Sequence, residues 1–266
     1  MIALIDGDIL AYEKASSAEH RFDWEGDGKP SQVLRKEREE VFAEVDQALR
    51  GYARTLGASR VVVCLSDLTG NYFRKTLYPL YKASRVGTVK PLLLMDVKQH
   101  MIEKHKAYVR PGLEADDVLG ILSTHPTLLP GEKVIVSVDK DLATIPGLLY
   151  NPDKDDEPRR VSEEEADYNH LFQTLTGDTT DGYPGCPGIG PMRAKKILED
   201  ALDMRCALMR SDISRPAAMW FDVVKAYAKK QLPEQYALTQ ARIARICRHT
   251  DYDYDKKEAI LWNPPA

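Results

Sequence analysis

The sequence predicts an α/β fold with a mainly parallel sheet, flanking helices and a helical C-terminal region. Three observations predict it. Short apolar runs alternate with stretches of helical spacing over roughly the first 150 residues, the order from which parallel sheets are built. Three of those runs end in an acid, and in such sheets ligands bind at the carboxyl ends of the strands. Beyond about residue 165 the strand signal fades and helical stretches follow one another.

The elements follow in order. Ile2-Ala3-Leu4-Ile5 is a short apolar run ahead of Asp6-Gly7-Asp8, a buried strand that delivers acids at its end. Residues 16–30 are polar, with Gly26, Gly28 and Pro30, and read as a loop. Apolar residues recur at Leu34, Val41, Val45, Leu49, Tyr52 and Leu56. That is helical spacing over residues 34–56, and Gly57 suits the stop. Residues 60–65 form a second buried strand, ending at Ser66-Asp67. Residues 133–138 form a third, ending at Asp139, and residues 148–150 a fourth. Residues 113–122 have helical character, as do 163–175, 191–202, 217–231 and 234–248. With no internal repeat, low-complexity tract or flexible linker, one compact unit is expected. Within it a core (residues 1–165, with a basic segment at about 70–95) precedes a helical region (166–266).

Composition sets limits. Of 266 residues, 43% are hydrophobic and 29% charged, which excludes wholesale disorder. The formal net charge of −4 excludes a histone-like basic binder without excluding local patches. No apolar run reaches the ~20 residues of a bilayer span, and MIALIDGDIL lacks the basic n-region and cleavage site of a signal peptide. The four cysteines, Cys64, Cys186, Cys206 and Cys247, show no CxxC spacing. A zinc ribbon or disulfide scaffold is not expected, and a reducing cytoplasm is.

The candidate site acids are Asp6, Asp67, Glu114, Asp116, Asp117, Asp139, Asp141, Asp178 and Asp181. Glu114 and Asp117 share a helix face at i, i+3, as Asp178 and Asp181 do on a turn or helix start. Asp139 and Asp141 point the same way if the strand backbone continues. Single acids of this kind often only cap helices. A set of them is harder to dismiss. Two carboxylates ~4 Å apart repel by ~4 kcal/mol at an effective dielectric of ~20, so a cluster needs cations. Oxygen ligands without His or Cys point to Mg²⁺ or Mn²⁺, and two such ions can clamp both oxygens of a phosphodiester displacement. Setting these nine acids aside leaves 32 acids facing 37 bases, an excess of five positive charges.

Residues 71–85 carry four bases, three tyrosines and a phenylalanine, with no acid. Such interleaving suits nucleic acid, the bases holding phosphates and the rings stacking at ~1–3 kcal/mol each. The bland alternative is a solvated loop with a small apolar anchor. The turn at residues 176–191 is rich in glycine and leads through Pro191 into Met192-Arg193-Ala194-Lys195-Lys196. Glycines let amides approach a phosphate at a helix N-terminus, and Pro191 suits the first helical position. A structural interhelix turn would look similar.

The ordered motifs IDGD, YPLYKASR, LEADD, SVDKD, TGDTTDG and GCPGIGPMRAKKIL resemble those of the flap endonuclease / 5′→3′ exonuclease superfamily. HLFQTLTGDTTDGYPG and ARICRHTDYDYDKKEAILW resemble most the stand-alone exonucleases of T7-like phages, which extends the likeness to the C-terminus. The resemblance implies a PIN-like core with a helix–two-turns–helix element at about residues 176–200. It implies that the nine acids hold two divalent ions, with Asp6 rather than Asp8 the ligand at the first strand. It implies that Lys82 contacts the scissile phosphate. Tyr81 and Arg85 would handle the 5′ end, and Arg74 would touch DNA. Gly185, Gly188, Gly190, Arg193, Lys195 and Lys196 would grip duplex, with K⁺ on the turn carbonyls in some members. The implied activity is metal-dependent 5′→3′ hydrolysis of DNA at ends, nicks or flaps by a monomer, with RNA–DNA hybrids as a further substrate. The alternatives are flap cleavage as the main activity, or a non-enzymatic DNA-binding protein with a degenerate site. Asp6-Gly7-Asp8 also matches the start of haloacid-dehalogenase-type phosphatases, but that leaves residues 114–117, Asp178 and Asp181 unexplained. A PIN-type ribonuclease would not need the glycine-rich turn.

Overall fold

The computed structural model describes residues 1–22, 31–207 and 213–265. The chain begins with β1 (Ile2–Asp6), α1 (Gly7–Ser17), β2 (Glu19–Phe22), β3 (Ser31–Leu34), α2 (Arg38–Thr55) and β4 (Arg60–Leu65). Next come α3 (Phe73–Leu77), α4 (Leu94–His105), β5 (Tyr108–Val109), α5 (Ala115–Thr124), β6 (Lys133–Val136), β7 (Gly147–Tyr150) and β8 (Arg159–Val161). The C-terminal part holds α6 (Glu163–Thr176), α7 (Pro191–Ala207), α8 (Arg215–Ala228), α9 (Glu234–Ala244), β9 (Tyr252–Asp253) and β10 (Glu258–Ala259).

The main sheet has the order β5-β4-β1-β6-β7-β8. β1 pairs in parallel with both β4 and β6, and only β8 runs antiparallel, against β7. All five residues of β1 are buried, as a strand covered on both faces requires. Its side chains alternate between two cores. Ile2 and Leu4 pack with α5 and with Ile246, Cys247 and Tyr252 near the C-terminus. Ala3 and Ile5 pack with α1, α2 and α4. After β5 the chain crosses back to β6 on the other side of β1, so the strand order reverses beside β1. That crevice is where an open α/β sheet receives a ligand. Helices α6 to α9 enclose a third core centred on Leu175, Leu198, Met219 and Tyr227.

Several boundaries differ from the sequence reading. The proposed loop at 16–30 is only partly irregular: α1 runs to Ser17 and β2 pairs antiparallel with β3. Residues 23–30 of it lie outside the described residues, as does the side chain of Cys206. Leu34 belongs to β3, and α2 begins at Arg38 behind a capping box between Glu37 and Glu40. The third strand stops at Val136 because Ser137 turns to donate its hydroxyl to Asp6. The last helix stops at Ala244, and the Cys247 amide beyond it donates to Asp117 on α5. The short strands β5 and β8 carry too little apolar pattern to read.

Candidate active site

The carboxyl edge of the sheet opens into a cleft of about 280 Å³. Eight carboxylates line it: Asp6, Asp8, Glu114, Asp116, Asp139, Asp141, Asp178 and Asp181. Arg74, Lys82, Arg85 and Lys140 are the cations at its wall. The acids come from the ends of β1 and β6, the start of α5 and the turn after α6, which no stretch of sequence joins.

Each acid is held by its own local structure. Asp6 caps α1, accepting the Ile9 amide at 3.1 Å and the Ser137 hydroxyl at 2.9 Å. Gly7 is required behind it, because a Cβ there would lie 2.7 Å from the Cys64 carbonyl oxygen. Asp139 caps the 3₁₀ turn at residues 140–144 by accepting the Asp141 amide at 2.8 Å. Asp141 accepts from Gln173 of α6 at 2.7 Å. Asp178 accepts the amides of Thr180 and Asp181. Glu114 caps α5 in a reciprocal box with Asp117.

The electrostatics show unbalanced negative charge. Burial, then Asp8 and Asp139, raise the Asp6 carboxyl to about 6 despite its two hydrogen bonds. Burial, then Asp139 and Asp178, raise Asp141 to about 6. Asp116 lies well above the usual carboxylate range through burial and the charges of Asp6 and Asp139. Against this, Lys82 pairs with Glu114 and approaches Asp181 at 3.5 Å, while Arg85 reaches Asp181 at 2.7 Å. Burial alone would lower the Lys82 ammonium, but Glu114, Asp181 and Asp116 outweigh it and raise it. Lys82 takes a left-handed backbone (φ 54°), and its amide donates to the Asp181 carbonyl. The basic segment is thereby docked on the turn that carries the acids.

Not every expected site residue reaches the cleft. Asp67 does not line it: its two oxygens accept the amides of Thr69 and Gly112 at 3.0 and 2.8 Å. Asp117 is fully buried and forms a two-toothed ion pair with Arg74 at 2.7 Å on each side. Burial would raise its pKa, but the Arg74 charge and hydrogen bonds lower it. Arg74 is itself only 3% exposed and donates further to Glu114 and to the carbonyls of Ile243 and Arg245. Arg74 thus ties α3, α5 and the end of α9 together at the edge of the cleft, which it also lines. Tyr81 is held in a similar way. It is 4% exposed and lines the cleft, its hydroxyl donating to Glu114 and Asp181.

Gly185 is also buried rather than presented to a partner. Its amide donates to Gln240, and a Cβ there would meet the Gly177 nitrogen at 2.3 Å. Gly188, Gly190, Arg193, Lys195 and Lys196 stay on the surface around the start of α7. Sequence reasoning set Asp8 aside in favour of Asp6, yet Asp8 also lines the cleft and is paired with Lys98 of α4 at 2.8 Å. That reasoning missed Ser137 and Gln173, the hydrogen-bond supports of Asp6 and Asp141. Nothing in the sequence marks Lys98, which lies 90 residues from its partner.

Residues 1–155 match the family model for the 5′-3′ exonuclease, N-terminal resolvase-like domain. The chain belongs to the 5′–3′ exonuclease family. It is a nuclease, an enzyme that hydrolyses phosphodiesters. It is 29% identical to the exodeoxyribonuclease of Enterobacteria phage T3, over 99% of this chain and 93% of that protein. It is 28% identical to the exonuclease of Escherichia phage T7, with the same coverage. Its fold resembles that of the bacteriophage T5 D15 flap endonuclease, solved as a complex with DNA and metal ions. The TM-score is 0.60 at 15% identity, covering 91% of this chain and 88% of that one. The expected α/β fold and the family resemblance are both borne out.

Proposed function

We propose that this nuclease removes nucleotides from the 5′ ends of DNA strands, at duplex ends, nicks or flaps, using two divalent ions held by the cleft acids. One observation carries the reading: acids from four separate segments line a single cleft at the sheet's switch point, with Lys82 and Arg85 at its wall. The donor set suits hard ions such as Mg²⁺ or Mn²⁺, being all oxygen. The raised pKa values of Asp6, Asp116 and Asp141 fit the same need, since that repulsion is what a cation relieves. The electrostatic couplings suggest two groups of ligands. Asp6, Asp8 and Asp116 act with Asp139, while Asp141 acts with Asp139, Asp178 and Asp181.

When bound, such ions supply Lewis acidity toward the phosphate and its attacking water. The chain's own groups do the rest. Lys82 stands against Glu114 and Asp181, and on substrate binding it turns to the scissile phosphate and stabilises the charge that develops there. Arg85, half-exposed at the rim, holds the phosphate of the 5′ end. The exposed Arg193, Lys195 and Lys196 near the α7 N-terminus take the duplex backbone. Residues 166–266 form the duplex-gripping part in this reading.

The test is digestion of 5′-labelled and 3′-labelled duplex, nicked, flapped and RNA–DNA hybrid substrates, with Mg²⁺ and with EDTA. Release of 5′ label as short products, abolished by EDTA, is expected. Release from the 3′ end, or unchanged cleavage in EDTA, would overturn the reading.

A further inference from the structure

A second group of ligand-type side chains lies away from the cleft, at the seam between α2 and α4. None of its members lines the cleft. Asp46, in the middle of α2, is only 6% exposed. His100 and His105, both on α4, point the same ring nitrogen at the same carboxylate oxygen. Nε2 of His100 lies 2.9 Å from Asp46 Oδ1, and Nε2 of His105 lies 2.7 Å from it. These three atoms lie within 4.8 Å of one another, which no other trio of His, Cys, Asp or Glu achieves among the described residues.

The rings are held in that pose. Phe42 stacks on His100 at 4.2 Å and 12° between planes. His105 meets His100 edge-on at 5.7 Å. The second carboxylate oxygen is taken by Lys104 at 2.5 Å, leaving Oδ1 to the imidazoles. Asp46 is thus held between two imidazoles and a lysine ammonium. Asp46, Arg50, Val61, Val63 and His105 border a recess of about 190 Å³ beside this group.

We propose that Asp46, His100 and His105 form a binding site for a transition-metal ion, Zn²⁺ foremost, that clasps α2 to α4. Two imidazoles and one carboxylate are the donors such an ion prefers, with water in the fourth position. Metal–ligand bonds of about 2.0–2.2 Å put tetrahedral donor atoms roughly 3.3 Å apart. On binding, each Nε2 gives up the hydrogen it shares with Oδ1, the neutral ring keeping its proton on Nδ1 and any excess proton passing to solvent, and the two O···N separations open by roughly half an ångström, within the reach of side-chain rotation. Lys104 is 57% exposed and remains on Oδ2 as an outer partner or leaves for solvent. The two sites divide ions by ligand class: hard Mg²⁺ takes the all-oxygen cleft and a borderline ion takes the histidines. α4 also carries Lys98, the partner of Asp8 in the cleft, so the clasp steadies the helix that presents it.

The experiment titrates the full-length protein with Co²⁺ in excess Mg²⁺, which occupies the all-oxygen cleft. Visible absorption distinguishes the ions, because four-coordinate Co²⁺ absorbs intensely and octahedral oxygen-bound Co²⁺ only faintly. One equivalent with the intense band is expected, bleached by Zn²⁺. His105→Gln, whose side chain is already 25% exposed, should weaken Co²⁺ binding well over tenfold, since losing even an outer-shell partner costs about 10- to 100-fold. His100→Gln should do the same, and Zn²⁺ should raise the thermal midpoint of wild type but of neither variant. Absence of the intense band, complete displacement of Co²⁺ by Mg²⁺, or unchanged binding in a folded His105→Gln protein would overturn the proposal.

Discussion

Replacing Arg74 by methionine separates a structural from a DNA-contacting arginine. Arg74 makes two bonds to Asp117, one to Glu114 and one each to the carbonyls of Ile243 and Arg245, at 2.6–2.9 Å. Its removal leaves Asp117 ionised at 0% exposure. Removing one partner of a buried ion pair costs about 3–5 kcal/mol, because the remaining charge is uncompensated. At about 2–4 °C per kcal/mol for a chain approaching this size, the midpoint should fall by roughly 10 °C. Adding Asp117→Asn should recover part of the loss, since the amide removes the stranded charge yet still accepts the Cys247 amide, now 3.0 Å from the carboxylate. Urea unfolding in EDTA measures both variants, and duplex affinity against salt is measured alongside. The salt slope should stay at its wild-type value, because no phosphate contact is lost. Near-wild-type stability with a reduced salt slope would refute the reasoning and restore Arg74 as a DNA contact.

Three further outcomes are expected. With the folded pKa of Asp6 and Asp141 raised to about 6 from 3.8, the native state binds more protons than the unfolded state between those values. Metal-free protein should therefore gain stability as pH falls from 7 toward 5 and lose that gain on going back up, and saturating Mg²⁺ should abolish the trend; stability rising with pH over that range in EDTA would count against the clustered acids. Lys82→Ala should lower kcat by about 10²–10³ with duplex affinity nearly kept, and equal losses in single-turnover rate and in Kd would remove it from the chemistry. Asp139→Asn should abolish Mg²⁺-dependent cleavage while slightly stabilising the metal-free protein, because it relieves Asp6, Asp116 and Asp141; retained cleavage would exclude Asp139 as a ligand.

Much was legible before any coordinates. The runs at β1, β4, β6 and β7 are apolar enough to be covered on both faces, and an uninterrupted apolar run is a local signal. The motif order placed the acids at strand ends and helix starts, and all but Asp67 and Asp117 of those proposed line the cleft. Those two exceptions share a cause. A carboxylate in a motif looks the same whether it faces a cavity, accepts backbone amides as Asp67 does, or neutralises a buried arginine as Asp117 does. The aromatic-basic segment carries a related ambiguity. Its composition is suited to nucleic acid, but Arg74 and Tyr81 turn inward where Glu114, Asp117 and Asp181 meet them.

The sequence by itself determined four of the main sheet's six strands, the helical C-terminal region and the kind of chemistry its carboxylates can perform, because periodicity and residue type act over a few neighbours. Tertiary structure alone decided which charges meet. Lys98 with Asp8, Ser137 with Asp6, Arg74 with Asp117, and two histidines with Asp46 are contacts across 43 to 131 residues of chain. Whether a charge becomes a ligand, a base or a strut depends on what lies within a few ångströms of it, and only the packing of distant elements sets that.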